Sequence, residues 1–100
     1  MPELYKRNDM KKQIAILGST GSIGTQALEV IKENSDLYEV YCLTANNQVE
    51  LLAEQAHKFK PAAVVIANEA RYDELKRLMS DLPEVKVYAG AKALDEIVEA

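Results

Sequence analysis

The sequence is poor in cysteine and in cationic side chains, and each shortage excludes a class of protein. Its single cysteine, Cys42, rules out an internal disulfide bond and is typical of a reducing compartment, so we expect a cytoplasmic protein. Twelve lysines and arginines stand against sixteen aspartates and glutamates, giving a net charge of −4. This balance argues against nucleic-acid and anionic-membrane partners, and no apolar run is long enough to span a membrane.

Glycine is also scarce, yet three of the four glycines stand in one loop. The loop follows an apolar run over residues 14–17 and precedes an amphipathic stretch, and it reads Gly18-Ser19-Thr20-Gly21-Ser22-Ile23-Gly24. A strand, a glycine-rich loop and a helix start form a cradle for phosphate, because backbone N–H groups and the helix dipole attract an anion. Hydroxyl donors are expected from Ser19, Thr20 and Ser22. No lysine follows the last glycine, so a Walker loop is excluded.

Apolar patterns along the chain predict alternating strands and helices. Strands are expected over residues 12–17, 40–44, 62–66 and 85–88, with the first and third buried. Helices are expected from Ser22, from Val49 until Pro61, and through Leu75, Leu78, Met79 and Leu82 until Pro83; a fourth pattern carries Leu94, Ile97 and Val98. The order βαβαβαβα predicts an α/β fold with a doubly wound, Rossmann-like parallel sheet. We expect a flexible lead-in over residues 1–11 and one domain over 12–100.

The residues that follow the second strand distinguish NAD sites from NADP sites in this kind of fold. An NAD site places a carboxylate there to bind the ribose 2′-hydroxyl, but this chain has Asn46, Asn47 and Gln48. Amide donors without a carboxylate favour NADP, because a 2′-phosphate would meet no repulsion. The alternative is that Asn46 or Asn47 merely caps the second helix.

No catalytic group is evident in these 100 residues. His57 is the only histidine and is expected on the surface of the second helix, away from the loop. No group of His, Cys, Asp and Glu has metal-ligand spacing, and Cys42 is expected to be a small core residue. We predict no catalytic residue and no metal ligand in the chain.

Residues 12–60 resemble the 1-deoxy-D-xylulose 5-phosphate reductoisomerase family. The resemblance rests on the run from Lys12 to Gly24, on Leu43-Thr44-Ala45-Asn46-Asn47-Gln48-Val49, and on Phe59-Lys60-Pro61 before a hydrophobic strand. It implies an NADPH-dependent oxidoreductase and isomerase of isoprenoid precursor synthesis, converting 1-deoxy-D-xylulose 5-phosphate to 2-C-methyl-D-erythritol 4-phosphate with Mg²⁺ or Mn²⁺. By this resemblance Thr20, Gly21, Ser22 and Ile23 would contact the cofactor phosphates, in a cofactor-binding loop that begins with Gly18 and Ser19, and Asn46, Asn47 and Gln48 would surround the ribose 2′-phosphate. The family often has Gly-Lys-Asn there, so this chain lacks the lysine.

The resemblance further implies a homodimeric parent enzyme with a phosphosugar substrate. We expect this chain to be its N-terminal NADPH-binding domain, truncated before the second half of the sheet and inactive alone. An uncapped final helical pattern fits that expectation. The alternatives are another reductase with a G-x-x-G-x-x-G loop, of the semialdehyde type, and a non-catalytic nucleotide-binding module.

Overall fold

The computed structural model describes residues 11–90 and 92–93, and within them it contains a four-stranded parallel sheet. The strands are β1 (Lys12–Ile16), β2 (Tyr38–Ala45), β3 (Ala63–Ile66) and β4 (Lys86–Ala89). The helices between them are α1 (Ser22–Glu33), α2 (Val49–Phe59) and α3 (Tyr72–Leu78), and a short 3₁₀ turn over Glu69–Arg71 precedes α3. The predicted α/β, Rossmann-like class is confirmed.

The strands follow one another across the sheet in the order β1-β2-β3-β4. Right-handed crossovers that all step in one direction place their helices on one face of the sheet. One core cluster accordingly joins Leu28 of α1, Leu52 of α2 and Leu75 of α3 to Leu43 and Val64 of the strands. The reversal of direction that defines a doubly wound sheet is not among these four strands.

A smaller apolar cluster lies on the opposite face of the sheet. It contains Cys42, Ala63 and Val65, with Ala93 packed against it. Cys42 is fully buried, as predicted for a small core residue, and burial raises the pKa of its thiol to about 11. A thiol in this state is not a nucleophile near neutral pH, since the thiolate is the reactive form.

Two expectations about burial and helix length were wrong. The first strand was expected to be buried to Leu17, but only Ile16 of β1 is buried and Leu17 is 59% exposed. The reason is that β1 pairs only with β2 within the described residues, so it is an edge strand there. The third helix was expected to include Leu82, but α3 ends at Leu78.

The early end of α3 has a local cause. Ser80 N donates to Arg77 O and Leu82 N donates to Met79 O, so the chain tightens into turns whose hydrogen bonds join residues three apart. Pro83 disfavours the α conformation at the residue before it, which is Leu82. Leu82 nevertheless packs against the core, which explains why it fitted the apolar period. Two further expectations lie outside the described residues: the lead-in expected over residues 1–11, of which only Lys11 is described, and the helical pattern through Leu94, Ile97 and Val98.

Candidate functional site

The glycine loop joins the end of β1 to the start of α1 at the carboxyl edge of the sheet. Gly18 has a φ of +73°, a left-handed conformation that side chains with a Cβ rarely adopt, and this residue turns the chain away from β1. Gly21 N donates to Gly18 O over 3.1 Å, which closes the turn. The loop is therefore a tight turn that only glycine enables at position 18.

Gly24 lets α1 pack directly against the loop backbone. A Cβ placed there would lie 2.3 Å from Gly18 O and 2.7 Å from Ser19 Cα, so no side chain fits. At Gly21 a Cβ would lie 3.5 Å from Gly18 O, which is an ordinary contact. The two glycines thus differ: Gly24 is required by packing, whereas packing among the described residues does not explain the bare backbone of Gly21.

The N-terminus of α1 presents its positive end without internal compensation. Gly21 is the N-cap, no side chain caps the helix, and its first turn contains no acidic residue. The first N–H groups of a helix have no partner within the helix, so those of Ser22 and Ile23 are directed outward. Beside them is an open hollow of about 450 Å³. The loop contributes Gly18 and residues 21–24 to its lining, including exposed Ile23. The rest of the lining is Ile16, Leu17 and Ala27. This surface is suited to an anion.

Ser19 has a different position from its neighbours in the loop. Its side chain is fully buried, and its Oγ donates to Gln55 Oε1 over 2.7 Å. Gln55 Nε2 in turn donates to Ser19 O over 2.9 Å. The expectation that the Ser19 hydroxyl donates to a phosphate is therefore wrong for this conformation, because that hydroxyl faces α2. Thr20 is half-buried and Ser22 is exposed, and Ser22 lines the hollow beside the loop.

The loop is also joined to the end of β2. Gly18 N donates to Thr44 Oγ1 over 2.8 Å, and Ser19 N donates to Thr44 O over 2.7 Å. Thr44 and Gln55 were not singled out from the sequence. The available signal was a polar residue inside an apolar strand and another on a buried helix, where a buried polar group needs a partner.

Asn46, Asn47 and Gln48 follow β2 at the same edge of the sheet, and all three are exposed. The alternative that Asn46 or Asn47 caps α2 is wrong, because Gln48 is the N-cap and no side chain caps the helix. The nearest carboxylate in sequence is Glu50, in the first turn of α2. The segment offers neutral amides and carries no carboxylate of its own.

Asn68, at the end of β3, contacts this amide segment. Its Nδ2 donates to Asn47 Oδ1 over 2.7 Å, and its backbone N donates to Asn46 O over 3.0 Å. Sequence reasoning missed Asn68. Its signal was its place directly after a parallel strand, since the carboxyl ends of such strands meet where α/β proteins bind ligands.

The described residues do not assemble a catalytic or metal centre. They contain no group of three or more His, Cys, Asp and Glu side chains that could hold a metal ion. His57 lies at the end of α2, where its Nε2 is 2.8 Å from Asp81 Oδ1 and its Nδ1 is 2.7 Å from Ala53 O. Those two contacts raise the pKa of His57, with Ala53 O the larger cause. No helix in the described part meets the length and apolarity needed to cross a membrane.

A parallel sheet with a glycine loop at the start of α1 and polar residues after β2 defines the class of Rossmann-like nucleotide-binding domains. Residues 14–100 match the family model for 1-deoxy-D-xylulose 5-phosphate reductoisomerase. The chain belongs to this family.

Curated relatives named 1-deoxy-D-xylulose 5-phosphate reductoisomerase align with most of the chain. One from Phocaeicola vulgatus is 75% identical over 91% of the chain, and one from Porphyromonas gingivalis is 55% identical over 91%. A solved reductoisomerase from Zymomonas mobilis in complex with NADPH is 39% identical, with a TM-score of 0.82 over 87% of this chain and 23% of its own. The chain spans about a quarter of the length of the curated relatives, 24% for the first.

Proposed function

We propose that the chain is the N-terminal NADPH-binding part of a reductoisomerase. In this proposal the parent enzyme converts 1-deoxy-D-xylulose 5-phosphate to 2-C-methyl-D-erythritol 4-phosphate in isoprenoid precursor synthesis. The observation that carries the proposal is the uncapped, carboxylate-free start of α1 behind Gly18 and Gly21. A relative was solved with NADPH bound, and its chain superposes on this one with a TM-score of 0.82.

The cofactor's pyrophosphate would lie over the glycine loop. The outward N–H groups of Ser22 and Ile23 would donate to its oxygens, and the helix dipole would add to the attraction. Gly21, whose missing Cβ internal packing does not require, would let a phosphate approach the backbone. The hydroxyls of Thr20 and Ser22 would complete the donor set. Ser19 would contribute through the position of its backbone, which Thr44 and Gln55 hold.

The ribose 2′-phosphate would lie against Asn46, Asn47 and Gln48. These side chains are exposed, do not cap α2 and include no carboxylate. Amide N–H groups can donate to a phosphate, whereas the carboxylate of an NAD site would repel it. The residues therefore fit NADPH better than NADH. When bound, the cofactor supplies the hydride, and these residues only bind and orient it.

The remaining chemistry would belong to parts of the parent enzyme other than this chain. The described residues hold no candidate ligand set for Mg²⁺ or Mn²⁺ and no group placed to act on a phosphosugar. We accordingly propose that the parent is a cytoplasmic homodimer that contributes the metal ligands and substrate contacts elsewhere. By itself the chain would bind cofactor weakly and turn over nothing.

The proposal is tested by titrating isotope-labelled protein with NADPH and NADH while recording amide NMR spectra. We expect shifts at residues 20–23 and 46–48, with tighter binding of NADPH. The variant Gly21→Ala is the matched control, because its methyl group fits the loop but would occupy the path of a phosphate. It should remain folded and lose the shifts at residues 20–23. Equal or tighter binding of NADH, or shifts confined to other surfaces, would contradict the proposal.

A further inference from the structure

We propose that Asn68 selects NADPH over NADH by fixing the direction in which the Asn47 side-chain amide points. The inference rests on the proposed function, because it assigns the 2′-phosphate to the segment after β2. It adds a residue on a different strand end, which orients a ligand-binding side chain without touching the ligand itself.

The backbone of Ala70 fixes the orientation of the Asn68 amide. Ala70 N lies 3.0 Å from Asn68 Oδ1. A backbone N–H is always a donor, so the side-chain atom that faces it must be the carbonyl oxygen. The other end of the Asn68 amide is then Nδ2, which is only a donor. The hydrogen bond from the Ala70 backbone thus determines which end of the Asn68 amide is oxygen and which is nitrogen.

Asn68 in turn fixes the orientation of the Asn47 amide. Asn68 Nδ2 lies 2.7 Å from a terminal atom of the Asn47 side chain, and a donor requires an acceptor there. That atom is Asn47 Oδ1, so Asn47 Nδ2 is directed away from Asn68. Asn68 N also donates to Asn46 O over 3.0 Å, which holds the backbone of the segment in place. The contact with Asn68 therefore leaves the Nδ2 N–H groups of exposed Asn47 directed away from Asn68.

The direction of this amide matters because NADPH and NADH differ in the hydrogen-bonding group at the ribose 2′ position. A phosphate offers only acceptor oxygens near neutral pH, so it is bound by an outward N–H and repelled by an outward carbonyl. A ribose hydroxyl can donate or accept and is satisfied by either end of the amide. Holding Asn47 Nδ2 outward therefore favours NADPH without a lysine, while leaving NADH binding almost unaffected.

The test compares Kd values for NADPH and NADH in three proteins: the wild type, Asn68→Asp and Asn68→Ala. In Asn68→Asp the retained oxygen still accepts from Ala70 N, but the other oxygen demands a donor, so the Asn47 amide turns its carbonyl outward. We expect NADPH binding to weaken about tenfold or more, the size of one hydrogen bond to a charged group, with NADH changed by less than about twofold. Asn68→Ala frees the amide and should cause an intermediate loss.

The matched control is Asn34→Asp, which makes the same change of charge and chemistry at the C-cap of α1. Asn34 Nδ2 donates to Val30 O there. Asn34 precedes β2 and so lies toward the amino ends of the strands, whereas Asn68 follows β3 at the carboxyl ends. It should keep the wild-type ratio of the two Kd values. Asn68→Ala with the wild-type ratio would overturn the inference, since the added charge alone would then explain Asn68→Asp. A wild type that binds neither cofactor would instead overturn the proposed function, and this inference with it.

Discussion

Substitution of Gly24 by alanine is the sharpest perturbation of the loop. The new Cβ would lie 2.3 Å from Gly18 O, which is 1.1 Å closer than the 3.4 Å at which ordinary contact begins. The obstructing atoms are backbone atoms of Gly18 and Ser19, so no side chain can rotate away. Either α1 or the loop must move by about 1 Å, and because α1 is held by Leu28 and Ile31 in the core, we expect the loop to move.

The cost follows from what the moving loop would lose. Ser19 is held by three short hydrogen bonds: its N to Thr44 O at 2.7 Å, its Oγ to Gln55 at 2.7 Å, and Gln55 Nε2 to its carbonyl oxygen at 2.9 Å. Stretching each by about 1 Å forfeits about 1 kcal/mol apiece. Alanine stabilises a helix interior by about 1 kcal/mol relative to glycine, which offsets one of the three. The net loss is about 2 kcal/mol, or about 8–16 °C in Tm for a domain of this size.

Thermal and urea unfolding followed by circular dichroism measures this loss. Gly21→Ala is the control because Gly21 has extended backbone angles, φ −81° and ψ 173°, and a Cβ there meets Gly18 O at 3.5 Å. It should lower the free energy of unfolding by about 0.5–1 kcal/mol, clearly less than Gly24→Ala, because alanine is only a poorer N-cap than glycine there. If Gly24→Ala unfolds at the same midpoint as Gly21→Ala, the contact between α1 and the loop backbone is not what requires glycine.

Two further predictions concern side chains outside the loop. Gln55→Ala should lower the free energy of unfolding by about 1–3 kcal/mol, because it removes the side-chain amide that pairs with both the Oγ and the carbonyl oxygen of buried Ser19, whereas Gln26→Ala on the exposed side of α1 should cost far less in the same urea titration. Equal costs would refute the role of the Ser19–Gln55 pair. The pKa of His57 is raised by its contacts with Ala53 O and Asp81, so its contribution to stability is present below its ordinary pKa of about 6.5 and is lost as pH rises through the folded value. Asp81→Asn should therefore lower Tm more at about pH 5.5 than at about pH 8.5, and equal shifts at both would contradict this linkage.

The order of elements and the position of the loop could be predicted from the sequence because both depend on local signals. Apolar runs of four to six residues marked the strands, and the predicted boundaries fall within two residues of β2 (Tyr38–Ala45) and within one of β3 (Ala63–Ile66). Glycine spacing located the turn because Gly18 requires a positive φ, a property of a single residue. The α/β class then followed from alternation alone.

The inward turn of Ser19 could not be predicted in the same way. A serine in a glycine loop can direct its hydroxyl to a ligand or to the protein, and local sequence does not decide between them. Here the partner is Gln55, which is 36 residues away in sequence and is brought close only when α2 packs beside the loop. Asn68 was missed for the same reason, since its contact with Asn47 spans 21 residues.

The exposure of β1 shows a second limit of local patterns. Ile14, Ala15 and Ile16 predict a strand covered on both sides, yet only Ile16 is buried, because burial depends on how many neighbours a strand acquires. Leu17 and Ile23, at 59% and 84% exposure, lie on the same side of the molecule, next to the hollow at the loop. The apolar pattern thus indicates that β1 can be buried on both sides, but within the described sheet β1 has only β2 as a neighbour.

The two halves of the candidate site are coupled through the end of β2. Thr44 accepts hydrogen bonds from Gly18 and Ser19 of the loop, and Asn46 begins the amide segment only two residues later. Asn46 is itself held by Asn68 at the end of β3. Since the Ser19–Thr44 and Asn68–Asn46 hydrogen bonds join backbone groups at the ends of paired parallel strands, the separation between the proposed pyrophosphate and 2′-phosphate positions would be set by the sheet and not by flexible side chains. A rigid spacing of this kind lowers the ordering cost of binding, so under the proposed function the neutral amide donors would gain affinity that a lysine would otherwise supply.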